Sequence, residues 1–176
     1  MEDPRYPIGR FSFEGQATPQ LRERWIGQIA AAPGALRAAV SGLTPAQLDT
    51  HYRDHGWTVR QVVHHVPDSH LNAYTRFKLA LTEDEPVIKP YEEARWAELP
   101  DVAATPVDTS LTLLECLHRR WVLLLRALNP ADWARSLRHP EHGRTIGLDE
   151  MLALYAWHGQ HHVAHITSLR DRMGWE

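Results

Sequence analysis

Four long stretches of the chain place apolar residues three and four positions apart, the spacing that collects them on one face of an α-helix. The predicted helices cover residues 18–42, 58–81, 110–128 and 148–173. Between the second and third helices, residues 82–107 are rich in acidic residues and proline, and they predict a long crossover loop. This pattern predicts an all-α fold, a four-helix bundle with one long crossover.

Local signals refine these helices. Thr58 and Gln61 fit a capping box at the start of the second helix. Pro33 and the glycine after it predict a kink or a break in the first helix, and Pro67 predicts a bend in the second. Pro45 predicts a short additional turn, because proline is favoured in the first turn of a helix.

The length of the chain predicts a single domain over residues 1–176. The segments outside the four helices are assigned as follows. Residues 1–17 contain proline and glycine without periodicity, and they predict an extended N-terminal arm packed on the surface. Within the crossover, one helical turn is predicted near residues 92–99, and a small hairpin is predicted within residues 135–147.

Composition narrows the class of protein. Hydrophobic residues make up 43% and charged residues 23%, the balance of a globular chain. The net charge is -3 without a basic run, which argues against nucleic acid as the main partner. No apolar run is long enough for a membrane span, and the polar N-terminus does not resemble a signal peptide. Cys116 is the only cysteine, so no intramolecular disulfide can form, and we expect a cytoplasmic protein.

Histidines concentrate in two clusters of helical sequence. His158 and His162 are one helical turn apart and share a face, and His161 and His165 form a neighbouring pair. A third imidazole from the first cluster, residues 64–65, would complete a three-histidine metal site with open positions, the usual plan of a catalytic metal. The alternative is a face of solvated or hydrogen-bonded histidines without a metal.

Two other features of the third predicted helix are less informative. Glu115 and His118 match the Glu-x-x-His spacing of di-iron bundles, but the motif occurs only once, so we interpret it as a chance match. Cys116 has leucines around it, and we expect it to be buried packing rather than a nucleophile.

Three segments of the chain form a recognisable set: GWTVRQVVHH at 56–65, YTRFKLALTE at 74–83 and YAWHGQHHVAHI at 155–166, with YPIG at 6–9 fitting as well. Together they resemble the DinB superfamily, most closely its YfiT-like branch of metal-dependent hydrolases. The resemblance implies a DinB-like four-helix bundle with up-down-down-up connectivity that forms a homodimer. It implies one divalent metal per chain, zinc or nickel, held by His65, His158 and His162.

The resemblance also implies an activity on a small-molecule substrate. One possibility is hydrolysis. The other is S-transfer with a low-molecular-weight thiol such as bacillithiol, mycothiol or glutathione, because a metal with open positions can stabilise a thiolate. A non-catalytic metal-binding or stress-response protein is the alternative. Helical phase alone makes His161, His165, Asp68 and Gln61 candidates for a general base.

Overall fold

The computed structural model describes residues 3–15, 17–141 and 143–175. Four long helices form a bundle, and short helices and one hairpin connect them. In chain order the elements are α1 (Pro19–Val40), α2 (Pro45–Leu48), α3 (Val59–Thr82), α4 (Glu93–Trp96), α5 (Pro100–Ala104), α6 (Val107–Arg126), α7 (Pro130–Trp133), β1 (Ser136–His139), β2 (Arg144–Gly147) and α8 (Leu148–Met173).

The long helices follow the up-down-down-up order that the resemblance implied. Helices α1 and α8 run parallel, as do α3 and α6, whereas α1 with α6 and α3 with α8 are antiparallel. The contacts that fix these directions are Arg22 with Asp149 and Ala39 with Arg170 (α1–α8), His64 with Ser110 and Phe77 with Trp121 (α3–α6), and Arg126 with Glu23 and Asp108 with Arg37 (α6–α1). Helices α3 and α6 are parallel and are the only consecutive long helices among the described residues that are, so they need a long connection, and the crossover supplies it.

The capping box at the start of α3 forms as the sequence predicted. The Thr58 hydroxyl accepts from the Gln61 backbone N–H at 3.1 Å, and the Gln61 side-chain oxygen accepts from the Thr58 N–H at 2.9 Å. This box satisfies two backbone donors that a helix start otherwise leaves unpaired. It therefore fixes the first turn of the helix that carries the first histidine cluster.

Several predicted boundaries need correction. Helix α1 continues through Pro33, so a break there is wrong. Helix α3 also continues through Pro67, and the bend predicted there stays a prediction. Both prolines are buried, and packing along the bundle outweighs the lost hydrogen bonds. Helix α6 begins at Val107 instead of Ser110, and the crossover holds a second short helix, α5, that periodicity could not reveal in four or five residues.

The predicted hairpin is confirmed, and its first strand also contacts the crossover. Strands β1 and β2 pair antiparallel with Leu137 opposite Ile146, and both of these side chains are buried. The crossover joins them, because the Ile88 N–H donates to the Arg138 carbonyl at 3.1 Å. The hairpin thus anchors the crossover chain directly before α8.

Cys116 is exposed, which corrects the expectation that it would be buried. On α6 the buried face is formed by Leu114, Leu117, Trp121 and Leu125. A residue at position 116 points away from that face because adjacent positions on a helix are about 100° apart.

The N-terminal arm lies across α8 and the start of α1. The Tyr6 ring is 6.2 Å from the His161 ring, and the Phe11 ring is 5.9 Å from the Trp157 ring. Further along, Phe13 packs near Trp25 of α1. The arm therefore covers one side of the second histidine cluster.

Among the described residues, no helix combines the length and apolar character needed to span a membrane.

Helices α1 and α8 approach closely at a glycine that lies between two histidines of the second cluster. A Cβ built on Gly159 would lie 3.0 Å from the Ala32 Cβ and 3.7 Å from Cε1 of His70. Gly159 is buried, so a larger side chain there cannot turn into solvent. The missing side chain sets how near α1 lies to the histidine face of α8.

We expect Gly159→Val to lower the free energy of unfolding by about 1–3 kcal/mol, because overpacking a filled interior forces the backbone apart. Gly34→Val is the matched control on α1, because a Cβ there meets nothing within 4 Å. Urea unfolding of both variants measures the effect. Equal stabilities would show that the α1–α8 approach is not tight.

Candidate metal centre

Helices α3 and α8 bring three imidazole nitrogens to one point. The Nε2 atom of His158 lies 3.4 Å from Nε2 of His65 and 3.2 Å from Nε2 of His162. Ligand atoms of all three side chains lie within 4.8 Å of one another. His65 and His162 are 7% exposed, so the cluster is closed on most sides.

These distances fit a metal site. Zinc–nitrogen bonds of about 2.0–2.1 Å in tetrahedral geometry separate two ligand nitrogens by about 3.3 Å. The two Nε2 separations from His158, 3.4 and 3.2 Å, lie on either side of that value. Three nitrogens fill three corners, so at least one position would remain for water or substrate. The donor set suits zinc and nickel alike.

The surroundings keep these rings neutral, the form that binds metal. Burial lowers the pKa of His65 to about 4, with a smaller contribution from the nearby His165. Burial, followed by repulsion from neighbouring histidines, lowers the pKa of His158 and of His162 well below the ordinary value. The Trp57 ring, 4.6 Å from the His65 ring, covers the side nearest the α3 start.

A chain of buried hydrogen bonds leads from the cluster into the bundle. Nδ1 of His158 lies 3.1 Å from Nε2 of His70, and Nδ1 of His70 lies 2.8 Å from Nε2 of His118. Nδ1 of His118 lies 2.6 Å from the Ile29 carbonyl oxygen. The amino-acid sequence did not predict this connection, because His70 and His118 lie on different helices and no local spacing relates one to the other.

The Glu-x-x-His match on α6 does not build a second metal site in the part of the chain that the structure describes. Glu115 is exposed, whereas His118 is 2% exposed and points into the bundle. The interpretation as a chance match agrees with this placement.

A cleft of about 400 Å³ opens beside the cluster. Its walls include Tyr52, Arg53, Trp57, His161, His162 and His165. Arg5 of the N-terminal arm and Arg53 contribute cationic groups, and Arg5 pairs with Asp3 at 2.8 Å. His162 is therefore both a member of the triad and part of the cleft wall.

Of the general-base candidates, His161 and His165 line this cleft. The His161 ring stacks on Trp157 at 4.2 Å, and the His165 ring stacks on Tyr52 at 4.1 Å. Nε2 of His165 lies 3.2 Å from the Arg5 carbonyl oxygen, so Nε2 carries the proton in the neutral ring and Nδ1 has a lone pair.

The other two candidates lie on α3. Gln61 has a structural role, because its Nε2 donates to the Ala97 carbonyl at 3.0 Å while its oxygen completes the capping box. Asp68 is half-buried, and burial, together with the charge of Asp101, raises its pKa to about 6.

A helical bundle with a convergent histidine triad defines a class of metal-site protein, and comparison with known proteins identifies the family. The DinB superfamily model matches residues 28–166. The chain therefore belongs to the DinB superfamily.

Relatives cover the whole chain. A Bacillus mycoides protein named "Putative metal-dependent hydrolase" is 56% identical over 175 residues, 99% of this chain and 100% of that protein. A Bacillus cereus protein with the same name is 55% identical over the same shares.

One solved structure is also closely similar. It is described as "YfiT from Bacillus subtilis is a probable metal-dependent hydrolase with an unusual four-helix bundle topology". It matches with a TM-score of 0.96 and 47% identity, over 98% of this chain and 99% of that one. The predicted YfiT-like four-helix bundle is confirmed.

Buried neutral histidines make the apo protein sensitive to acid. Burial lowers the pKa of His118 from 6.5 to about 4. Below pH 6.5 the unfolded chain binds a proton at this ring that the native state does not, so stability falls as the pH drops through this window. The contribution of this single ring amounts to about 3 kcal/mol between the two values.

We expect His118→Gln to reduce the loss of unfolding free energy between pH 7 and pH 4.5, because glutamine does not titrate. Urea unfolding with a chelator present, so that metal release does not contribute, measures the slope. His55→Asn is the control, since His55 is exposed and asparagine tolerates its positive φ of 56°. A slope unchanged from that of the wild type would contradict the assignment.

Proposed function

We propose that this chain is a metal-dependent hydrolase that holds one divalent cation between His65, His158 and His162. The observation that carries the proposal is the convergence of three imidazole nitrogens, from the buried His65 and His162 and the partly buried His158, beside a cleft. The names of the relatives from Bacillus mycoides and Bacillus cereus support the same class of activity.

The cation would be zinc or nickel. When bound there, such a cation would supply Lewis-acid chemistry, polarising a substrate carbonyl or lowering the pKa of a water or thiol. The chain supplies neutral nitrogen donors, and it closes the triad on the side of the bundle interior with buried side chains. His162 and Trp57 face the cleft, where a small-molecule substrate would lie.

The cleft residues would orient the substrate and move protons. His165 is the first candidate for moving a proton, because it lines the cleft and its buried Nδ1 has a lone pair without a hydrogen-bond partner among the described residues, while its Nε2 faces the Arg5 carbonyl. His161, fixed by stacking on Trp157, is the second candidate for this role.

Thiol S-transfer is the second candidate reaction, and the cationic side of the cleft favours it. Arg53 donates to the Tyr52 hydroxyl at 3.2 Å and to the Asp54 backbone carbonyl at 2.9 Å, both neutral groups. Its charge would suit a substrate carboxylate, which low-molecular-weight thiols such as glutathione carry. The exposed Cys116 lies on α6, away from the triad on α3 and α8, so the thiol would be a co-substrate.

We expect the purified, tag-free protein to bind about one equivalent of zinc or nickel per chain, and His65→Ala and His162→Ala to lose it, because a site with two ligands rarely holds a metal. Elemental analysis measures the content. His64→Ala is the matched control, because the adjacent His64 is buried as well but its Nδ1 faces Ser110 Oγ at 2.7 Å.

Turnover separates the candidate functions. We expect ester or amide hydrolysis by the metal-loaded wild type, and a drop of about 100-fold or more in the ligand variants. Conjugation of glutathione or bacillithiol to an electrophile without hydrolysis would favour S-transfer. Metal binding without turnover in either assay would favour the non-catalytic metal-binding protein, and no metal after reconstitution would refute the proposal.

The homodimer and the cytoplasmic location stay predictions. Sedimentation analysis of the purified chain tests the dimer.

A further inference from the structure

The buried hydrogen-bond chain crosses the whole bundle and takes one residue from each long helix. It connects His158 of α8, His70 of α3, His118 of α6 and the Ile29 carbonyl of α1. His70 is 0% exposed and His118 is 2% exposed, so water does not compete for these groups. The hydrolase and thiol-transfer mechanisms described above use neither ring.

The carbonyl at the end of the chain fixes the direction of every hydrogen bond in it. A carbonyl oxygen only accepts, so Nδ1 of His118 carries the hydrogen. A buried neutral imidazole has one N–H, so Nε2 of His118 must accept, and Nδ1 of His70 must donate to it. The same step repeated makes Nε2 of His70 an acceptor and Nδ1 of His158 a donor.

The tautomer of His158 determines what its other ring nitrogen offers to the triad. Because Nδ1 of His158 carries the hydrogen, Nε2 has a free lone pair, and this Nε2 is the atom that lies 3.4 and 3.2 Å from Nε2 of His65 and His162. The hydrogen-bond chain thus holds His158 in the tautomer and ring orientation that a metal ligand needs.

We propose that His70 and His118 are positioning residues for the metal centre, holding His158 with Nδ1 protonated and Nε2 free for the cation. This inference rests on the proposed function for its purpose, whereas the tautomer it assigns is a property of the metal-free protein. Hydrogen-bond partners of this kind orient ligating histidines and raise their basicity, and their loss costs about 10–100-fold in metal affinity.

The first test measures the tautomer in wild-type protein without metal. Long-range ¹H–¹⁵N correlation spectra of the histidine rings, recorded with a chelator near pH 7.5, distinguish a protonated from an unprotonated ring nitrogen. We expect protonated Nδ1 and unprotonated Nε2 in His158, His70 and His118. The opposite tautomer in His158, or a mixture, would overturn the proposal whether or not the protein binds metal.

The second test measures Zn²⁺ affinity by competition with a chromophoric chelator. We expect His70→Phe to weaken binding by about 10–100-fold, and His118→Phe by about tenfold, because removing either ring leaves the next N–H without its acceptor. His118→Gln should restore affinity to within about threefold of the wild type, because its amide can accept from His70 and donate to Ile29.

His64→Phe is the matched control for these variants. His64 is also a buried histidine of α3 that hydrogen-bonds to α6, through Ser110, but it is not part of the hydrogen-bond chain that leads to His158. Wild-type zinc affinity in His64→Phe is expected, and an equal loss there would overturn the proposal by reducing it to general packing. Wild-type affinity in folded His70→Phe and His118→Phe would overturn it as well.

These outcomes separate the positioning role from the proposed function. If the wild type binds no zinc but the spectra show the assigned tautomers, the proposed function fails and the chain of tautomers stands. If the wild type binds zinc and the spectra show other tautomers, the positioning role fails alone. Circular dichroism confirms folding of each variant, and His118→Gln provides a test if either phenylalanine variant does not fold.

Discussion

The structure depends on how it satisfies imidazoles that are buried in an apolar bundle. Polar side chains in such an interior cost free energy unless each finds a partner. Here α8, α3 and α6 each contribute a histidine to one hydrogen-bonded line, and a backbone carbonyl of α1 ends it. The line therefore requires all four long helices to hold their rotation and register together. The same requirement orients the His158 ring so that its Nε2 lies beside Nε2 of His65 and of His162.

The bundle topology makes this arrangement possible. Parallel α1 and α8 approach closely at Gly159, which brings the backbone of α8 near Ala32 and leaves space for the His70 ring. Antiparallel α3 and α8 place His65 opposite His158 and His162. The long crossover is the connection that the consecutive parallel helices α3 and α6 need. The N-terminal arm and the loop before α3 line the cleft beside the triad.

Burial and chemistry act in the same direction at this centre. Removing the rings from water lowers the pKa values of the triad histidines, so they stay neutral under ordinary conditions. Neutral imidazoles are good ligands for a divalent cation, and a cation in turn compensates for burying three lone pairs at one point. The unfolding free energy of the metal-free protein falls in acid, because the unfolded chain binds protons at these rings that the native state does not bind.

The four long helices, the capping box at Thr58, the hairpin and the shared face of His158 and His162 were all predictable from the amino-acid sequence. Each of these follows from local spacing along one element. The sequence left open which member of the pair at 64–65 meets that face, and the family resemblance was needed to choose His65. It gave no role to His70 and His118, and it placed Cys116 in the interior. The contacts of His70 and His118 and the exposure of Cys116 became visible in the folded molecule, because they depend on how separate helices rotate and slide against one another, and no short-range periodicity encodes that.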